Sequence, residues 1–219
     1  MHITHIIFDM DGTLIDTVKA TFEACRKTTE ELGLPRLTEK ALRDATGFPV
    51  PDFYMKVLPG IENNMLLEFI RHAVEAENAM MRQLGKVILF DGIEQMLKEL
   101  SEHGIHLFIA STGSFEHVNA AMDATGIRDY FTGIYCDHPD KAHSIGRIPE
   151  LRNGGTWIMV GDKRIDANAA HHYGIFSIGA GYGYCIPGER EFFDKIVFSP
   201  AEILKFVLEA VISNIFTFA

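Results

Sequence analysis

Short apolar runs alternate along this chain with longer segments in which apolar residues recur every three or four positions. The short runs predict strands at residues 3–8, 105–110, 133–136, 156–160 and 175–178. The longer segments between them predict helices. Because strands that alternate with helices are typical of a parallel sheet covered by helices, we expect a fold of the α/β class.

One stretch breaks this alternation. Between residues 16 and 86 the pattern predicts consecutive helices, at residues 18–32, 39–46, 51–58 and 62–84. We therefore expect an all-α domain at residues 16–86, inserted into a core domain formed by residues 1–15 and 87–219. The two edges of the insertion are natural hinges.

Charge and cysteine content narrow the class of protein. The net charge of −10 over 219 residues argues against a nucleic-acid binder. No uncharged apolar run is long enough to cross a bilayer. The apolar segment 203–218 contains Lys205 and Glu209, which favours packing on the core over a membrane anchor. Three scattered cysteines without metal-binding spacing favour a reducing compartment, here the cytoplasm: Cys25, Cys136 and Cys185.

Two carboxylates follow the first predicted strand. Asp9 and Asp11 stand two residues apart in the sequence DMDGTL at residues 9–14. Ligands of open α/β sheets bind at the carboxyl ends of strands, where both acids would lie. One of them can attack a substrate while the other handles a proton, with a divalent cation to offset the charge. The alternative is a strand that ends in an ordinary Asp-Gly turn.

A second pair of acids follows the predicted strand at residues 156–160. Asp162 lies directly after the strand, and Asp166 lies about one helical turn further along, so both can face the same point. Together with Asp9 they could supply oxygen ligands to Mg²⁺. The alternative is that Asp162 caps the next helix and Asp166 pairs with a surface cation.

Two further strand ends carry residues that suit a phosphate group. Ser111 and Thr112 stand where a strand meets a helix, so that their hydroxyl groups and free backbone N–H groups could hold an anion. Lys141 begins a helical segment after the next strand and could neutralise a phosphoryl group. The alternatives are an ordinary helix N-cap and a lysine that faces solvent.

The order of these groups resembles the four motifs of the haloacid dehalogenase superfamily. DMDGTL resembles the first motif, Ser111 the second, Lys141 the third, and Gly161-Asp162 with Asp166 the fourth. The resemblance covers nearly the whole chain. It implies a Rossmann-like parallel sheet with helices on both faces and a helical cap, of the C1 type, inserted after the first motif.

The resemblance also implies a role for each motif residue. Asp9 would be the nucleophile that forms an aspartyl-phosphate, and Asp11 the acid and base. Ser111 and Lys141 would hold the phosphoryl group, beside Thr112, which is a candidate from its place at the strand end. The side chains of Asp9, Asp162 and Asp166 and the backbone carbonyl of Asp11 would hold Mg²⁺. Since relatives that act on carbon–halogen or carbon–phosphorus bonds lack the second acid, Asp11 favours hydrolysis of a phosphate ester.

Two features depart from the family pattern or leave it open. Lys141 is followed by Ala-His where many relatives have proline, and Lys163 is a competing cation for the third motif. In the predicted cap, Arg43 precedes a glycine turn that faces the site in capped relatives, so we expect it to contact a substrate. An exposed helix arginine is the alternative.

The expected function is hydrolysis of a small phosphorylated metabolite by a cytoplasmic monomer or homodimer. The Tyr-Gly-rich loop at residues 179–184 is similar to one in phosphoglycolate phosphatases, so a phosphoglycolate-like substrate is expected. The first rival is a sugar-phosphate mutase, which shares the motif set. A rival of another class is a non-catalytic protein that binds phosphometabolites. We expect neither nucleic acid nor membrane as a partner.

Overall fold

A parallel sheet forms the centre of the protein. The computed structural model describes residues 3–215, with side chains as far as residue 210. In this part of the chain the strands are β1 His5–Phe8, β2 His106–Ala110, β3 Gly133–Tyr135, β4 Trp157–Gly161, β5 Phe176–Ala180 and β6 Lys195–Val197. They form one six-stranded parallel sheet in the order β3-β2-β1-β4-β5-β6. The predicted Rossmann-like α/β fold is confirmed.

Helices connect the strands and form the segment after β1. In chain order the α-helices are α1 Val18–Glu31, α2 Glu39–Ala45, α3 Asp52–Val57, α4 Asn63–Leu84, α5 Ile93–Glu102, α6 Phe115–Thr125, α7 Lys141–Gly146, α8 Arg164–His172, α9 Pro187–Arg190 and α10 Pro200–Ile215. The predicted helix end at residue 218 lies outside the described residues. None of the described helices is both long enough and apolar enough to cross a membrane.

The central strand determines where the polar loops meet. Ile6, Ile7 and Phe8 of β1 are fully buried, as expected for a strand covered on both faces. Phe8 is in register with Ile109 of β2 on one side and with Val160 of β4 on the other. The residues that follow these three strands therefore lie side by side at one edge of the sheet.

Helices α1–α4 have a hydrophobic cluster of their own. Its fully buried members include Cys25, Leu42 and Phe69, whereas the strands and α5 share a separate cluster. Tyr184, which follows β5, also packs into the helical cluster. The α1–α4 segment, called the cap below, therefore has its own core, against which aromatic residues from outside the segment, Tyr184 and Phe90, also pack.

The strand β6 was not predicted. It has only three residues and lies at the edge of the sheet next to β5. The charged residues Asp194 and Lys195 interrupt the apolar run that would mark this segment as a strand. The other strands were predicted to within two residues at each end.

Candidate active site

Three carboxylates meet at the edge of the sheet. Asp9 follows β1, Asp162 follows β4, and Asp166 lies in the first turn of α8. One oxygen from each lies within 4.8 Å of the others, and all three residues are buried. We call these three residues the acid cluster. The structure thus brings together residues from the predicted first and fourth motifs.

Lys141 enters this cluster from the start of α7. Its Nζ contacts Asp9 Oδ1, lies 3.0 Å from Asp166 Oδ1 and donates a 2.9 Å hydrogen bond to the carbonyl of Ala110. The side chain is only 3% exposed. A buried ammonium group needs such partners, because an unpaired charge in the interior is very costly.

The competing cation, Lys163, has different partners. Its Nζ donates to the backbone carbonyls of Arg43 at 3.0 Å and Tyr184 at 3.2 Å, and lies 3.7 Å from a carboxylate oxygen of Glu189. Lys163 therefore links the cap to the loop after β5. The lysine that pairs with Asp9 is Lys141.

Asp166 serves two purposes with its two oxygens. Oδ2 accepts hydrogen bonds from the backbone N–H groups of Asp162, at 3.1 Å, and Lys163, at 3.0 Å, at the N-terminus of α8. Oδ1 faces Lys141. The alternative interpretation, in which Asp162 caps the helix and Asp166 pairs with a surface cation, is not what the structure contains.

The acid cluster is short of positive charge. Burial raises the pKa of Asp9 to about 7, although the Lys141 ammonium opposes this. Burial, together with Asp9 and Asp166, raises the pKa of Asp162 as well. Asp162 Oδ2 is buried without a hydrogen-bond partner in the described structure. A divalent cation bound by oxygen ligands would fit this set of atoms.

Asp11 lies at the same edge, but its side chain is bonded outside the cluster. Its Oδ1 accepts a hydrogen bond from Thr17 Oγ1 at the start of the cap and lies 2.9 Å from His117 Nε2 in the first turn of α6. Burial would raise the pKa of Asp11, but His117 and Thr17 outweigh it and hold the pKa below its ordinary value. The two acids of the first motif therefore have separate surroundings.

His117 is a candidate functional residue that the sequence analysis missed. Burial would lower its pKa, but the adjacent Asp11 carboxylate raises it to about 9. Gly113 leaves room for the ring, because a Cβ there would lie 3.0 Å from His117 Cδ2. The sequence could have indicated His117 by its position: a residue in the first turn of the helix after β2 lies near the same edge of the sheet as the motifs.

The hydroxyl residues after β2 lie where they were predicted. Ser111 is buried, and its Oγ accepts a 3.0 Å hydrogen bond from the backbone N–H of Gly113. Thr112 Oγ1 lies 3.4 Å from the carbonyl of Gly47 in the cap. Ser111 is thus turned into its own loop, and Thr112 bridges the core and the cap.

Arg43 is not brought together with the other predicted site residues. One guanidinium nitrogen lies 3.5 Å from Asp16 Oδ1, and the group stacks 4.8 Å from the centroid of the Tyr184 ring. It does not line the cavity beside Asp11. The predicted contact between Arg43 and a substrate therefore finds no support in this geometry.

The loop after β5 supports the first motif from the other side. Tyr182 donates a 2.9 Å hydrogen bond to the carbonyl of Thr13. Between the two tyrosines, Gly183 packs so closely that a Cβ would lie 1.7 Å from the carbonyl oxygen of Gly12. The turn that carries Asp11 is therefore held by direct backbone contact.

Comparison with known proteins agrees with this geometry. The family model for haloacid dehalogenase-like hydrolases matches residues 6–180. A phosphoglycolate phosphatase of Vibrio vulnificus is 28% identical over 82% of this chain and 84% of its own length. The pyrophosphatase PpaX of Oceanobacillus iheyensis is 31% identical over 76% of this chain and 78% of its own.

A solved structure gives the same result for the fold. A haloacid dehalogenase-like family protein of Streptococcus pneumoniae superposes with a TM-score of 0.78 at 26% identity, over 93% of this chain and 98% of the other. The chain therefore belongs to the family of haloacid dehalogenase-like hydrolases, and its motifs and relatives make it a hydrolase of the phosphatase type. The resemblance drawn from the four motifs is confirmed.

Proposed function

We propose that this protein is a Mg²⁺-dependent phosphatase that hydrolyses a small phosphomonoester through a phosphorylated Asp9. The observation that carries the proposal is the separation of the two acids of the first motif. Asp9 is buried against Lys141, whereas Asp11 is bonded to His117 and Thr17 at the edge of a cavity. A nucleophile and a proton-transfer group need different surroundings of this kind.

The reaction follows from these positions. An Asp9 oxygen attacks the phosphorus atom, and the bond between phosphorus and the ester oxygen breaks. The departing alcohol takes a proton from the Asp11–His117 pair, in which the protonated His117 supplies the proton and the Asp11 carboxyl passes it on. The pair then takes back a proton from the water that attacks the aspartyl-phosphate. Inorganic phosphate leaves, and Asp9 is restored. The Lys141 ammonium balances charge on the phosphoryl oxygens.

The acid cluster supports the cofactor in this proposal. Asp9, Asp162 and Asp166, with the backbone carbonyl of Asp11, would hold Mg²⁺. When bound, the ion would offset the charges of the carboxylates and of the phosphoryl group, which otherwise repel each other. The unpartnered, buried Asp162 Oδ2 is the atom in this set most clearly lacking a positive partner.

The first experiment is phosphate release with and without Mg²⁺ across a panel of esters. The panel contains phosphoglycolate, the substrate expected from sequence, as well as pyrophosphate, hexose phosphates and 4-nitrophenyl phosphate. We expect Mg²⁺-dependent release that falls at least about 10³-fold in Asp9→Asn, because an amide is a poor nucleophile. The substitution is isosteric, so the melting temperature should not fall.

Three results would contradict the proposal. Full activity of Asp9→Asn would remove Asp9 as the nucleophile. An isomerised sugar phosphate without free phosphate would identify a mutase, and a folded, Mg²⁺-loaded protein without turnover would favour a binding role.

The cellular setting is also part of the proposal. Cys25, Cys136 and Cys185 are buried and unpaired, which supports a reducing compartment such as the cytoplasm. The partner is a small phosphorylated molecule, with neither nucleic acid nor membrane required, and the active form is a monomer or homodimer.

A further inference from the structure

A cavity lies between the cap and the core, directly beside Asp11. Its volume is about 390 Å³, within the range of about 300–1,000 Å³ typical of small-molecule sites. Thr112 and Gly113 line it from the core side, and Thr17, just before α1, and Thr21, within α1, line it from the cap side. Under the proposed function, a phosphoryl group at Asp9 would leave its alcohol portion in this space, which we call the cap cavity.

One wall of the cap cavity is apolar. It is formed by residues 48–51 between α2 and α3, together with Phe53, Tyr54 and Val74. Phe48 and Val50 are 44% and 54% exposed although they are large apolar side chains. Apolar groups grouped at the edge of a cavity favour an apolar ligand, because covering them removes their surface from water.

Acidic side chains outnumber basic ones among the described residues that line the cap cavity. Among its described lining residues there is no lysine or arginine, whereas four carboxyl groups are present: Asp11, Asp52, Glu77 and Asp137. The cavity also contains His117, which is paired with Asp11, and His138, whose Nδ1 accepts a hydrogen bond from the backbone N–H of Asp140. The positive charge of His117 is balanced by Asp11, so the described lining offers no unpaired cation to a substrate carboxylate or a second phosphate.

The cations nearby are engaged elsewhere. Arg43 pairs with Asp16 and stacks on Tyr184. Lys56 lies outside the lining, with its Nζ 4.1 Å from the centroid of the Phe48 ring. An anionic alcohol portion would face an acidic lining without a cation to pair with, which is unfavourable in a partly enclosed site.

We propose, on the basis of the phosphatase function above, that the substrate is a phosphomonoester of an uncharged alcohol with an apolar body. The preferred alcohol would be branched aliphatic or aromatic, and it would lie against residues 48–51, Phe53 and Val74. Phosphate esters of hydroxy acids and bisphosphates would be poor substrates. The cap thus selects by apolar contact and by the lack of an unpaired cation in the described lining.

The decisive comparison uses two substrates of the same shape. Isobutyl phosphate and phosphoglycolate have alcohol portions with the same number of heavy atoms, but only the second carries a carboxylate. We expect kcat/KM to be at least about tenfold higher for isobutyl phosphate, and higher again for benzyl phosphate. 4-Nitrophenyl phosphate serves as the activated reference.

Three outcomes would overturn the inference. Preference for phosphoglycolate would mean that the site supplies a cation. Preference for phosphoethanolamine over isobutyl phosphate would mean that the carboxyl groups select a positive charge. No release from any ester, 4-nitrophenyl phosphate included, would overturn the proposed function and the inference with it.

A variant tests whether the alcohol portion occupies the cap cavity. Val50→Arg adds a cation at an exposed position of the wall, and Val50→Met, which keeps it apolar, is the matched control. We expect Val50→Arg to shift the kcat/KM ratio about fivefold towards phosphoglycolate, and Val50→Met to leave it unchanged. If the ratio stays the same in both variants, the alcohol portion does not lie against this wall, and the inference fails.

Discussion

The acid cluster packs three carboxylates against Lys141 in a buried space, whereas the adjoining cap cavity has one apolar wall and no lysine or arginine among its described lining residues. In the first region, Lys141 and Asp166 are each fixed by several polar contacts. Part of the second region's wall, at Phe48 and Val50, is about half exposed. Under the proposed function, the acid cluster serves a single chemical group, phosphate, whereas the cap cavity selects the alcohol portion of the substrate by its shape.

Asp11 stands on the border between these regions. It belongs to the first motif in sequence, but its carboxylate is bonded to Thr17 of the cap side and His117 of the core side. Chemistry and substrate selection are therefore joined at one side chain. Variants in and around these regions should have different effects, and three pairs of variants test that separation.

The largest effect is expected inside the acid cluster. Lys141→Met should lower kcat about 10²- to 10³-fold, because it removes the cation that balances the phosphoryl oxygens. It should also destabilise the fold by about 3 kcal/mol, since buried carboxylates lose their partner. Phosphate release at saturating Mg²⁺ and urea unfolding measure the two effects.

The matched control is Lys163→Met, which removes a second buried lysine that does not contact Asp9. We expect its kcat to stay within about tenfold of wild type, although the loss of its bonds to two carbonyls should reduce stability by about 1–3 kcal/mol. Equal losses of kcat in the two variants would show that the distinction between the lysines is not functional.

An intermediate effect is expected at the border. His117→Ala should lower kcat/KM about 10- to 100-fold for isobutyl phosphate, because Asp11 loses the group that positions it for proton transfer. For 4-nitrophenyl phosphate, whose leaving group needs no proton, the loss should be under about threefold. His117→Gln, which keeps a donor, should recover part of the activity. Equal losses with both esters would indicate a purely structural role.

The smallest effect is expected where the core holds the base of the cap. Tyr184 donates a 2.7 Å hydrogen bond to Asp16 and accepts one from the backbone N–H of Val18 at 2.9 Å. Tyr184→Phe should therefore cost about 1–3 kcal/mol of unfolding free energy. Tyr182→Phe, which loses one bond to a carbonyl, should cost about 1 kcal/mol. If Tyr182→Phe loses more unfolding free energy than Tyr184→Phe, then Tyr184 is not the tyrosine that contributes more to holding the cap on the core.

The sequence predicted the part of the site that follows directly from strand ends. Asp9, Asp162 and Ser111 each come directly after a buried strand, so a parallel sheet places them together without further information. Lys141 was ambiguous in sequence because Lys163 is equally close to a motif. Only the path of α7 distinguishes them, since it directs Lys141 inward.

The remaining parts depend on contacts between distant segments. His117 is marked by no spacing motif, and its role depends on Gly113 leaving room for the ring. Arg43 has the right residue type for a substrate contact, but Asp16 and Tyr184 occupy its guanidinium group. Tyr184 comes from the loop after β5, and no local pattern near Arg43 indicates this contact.

The contact between Gly12 and Gly183 limits the substitutions that the protein tolerates at these two positions. A side chain at position 183 would displace the peptide at position 12, and with it the neighbouring Asp11 and Thr13. Gly12 has a φ of +85°, so it too resists replacement. In a library of random variants, the surviving clones should therefore keep glycine at both positions, although the two residues lie far apart in the sequence.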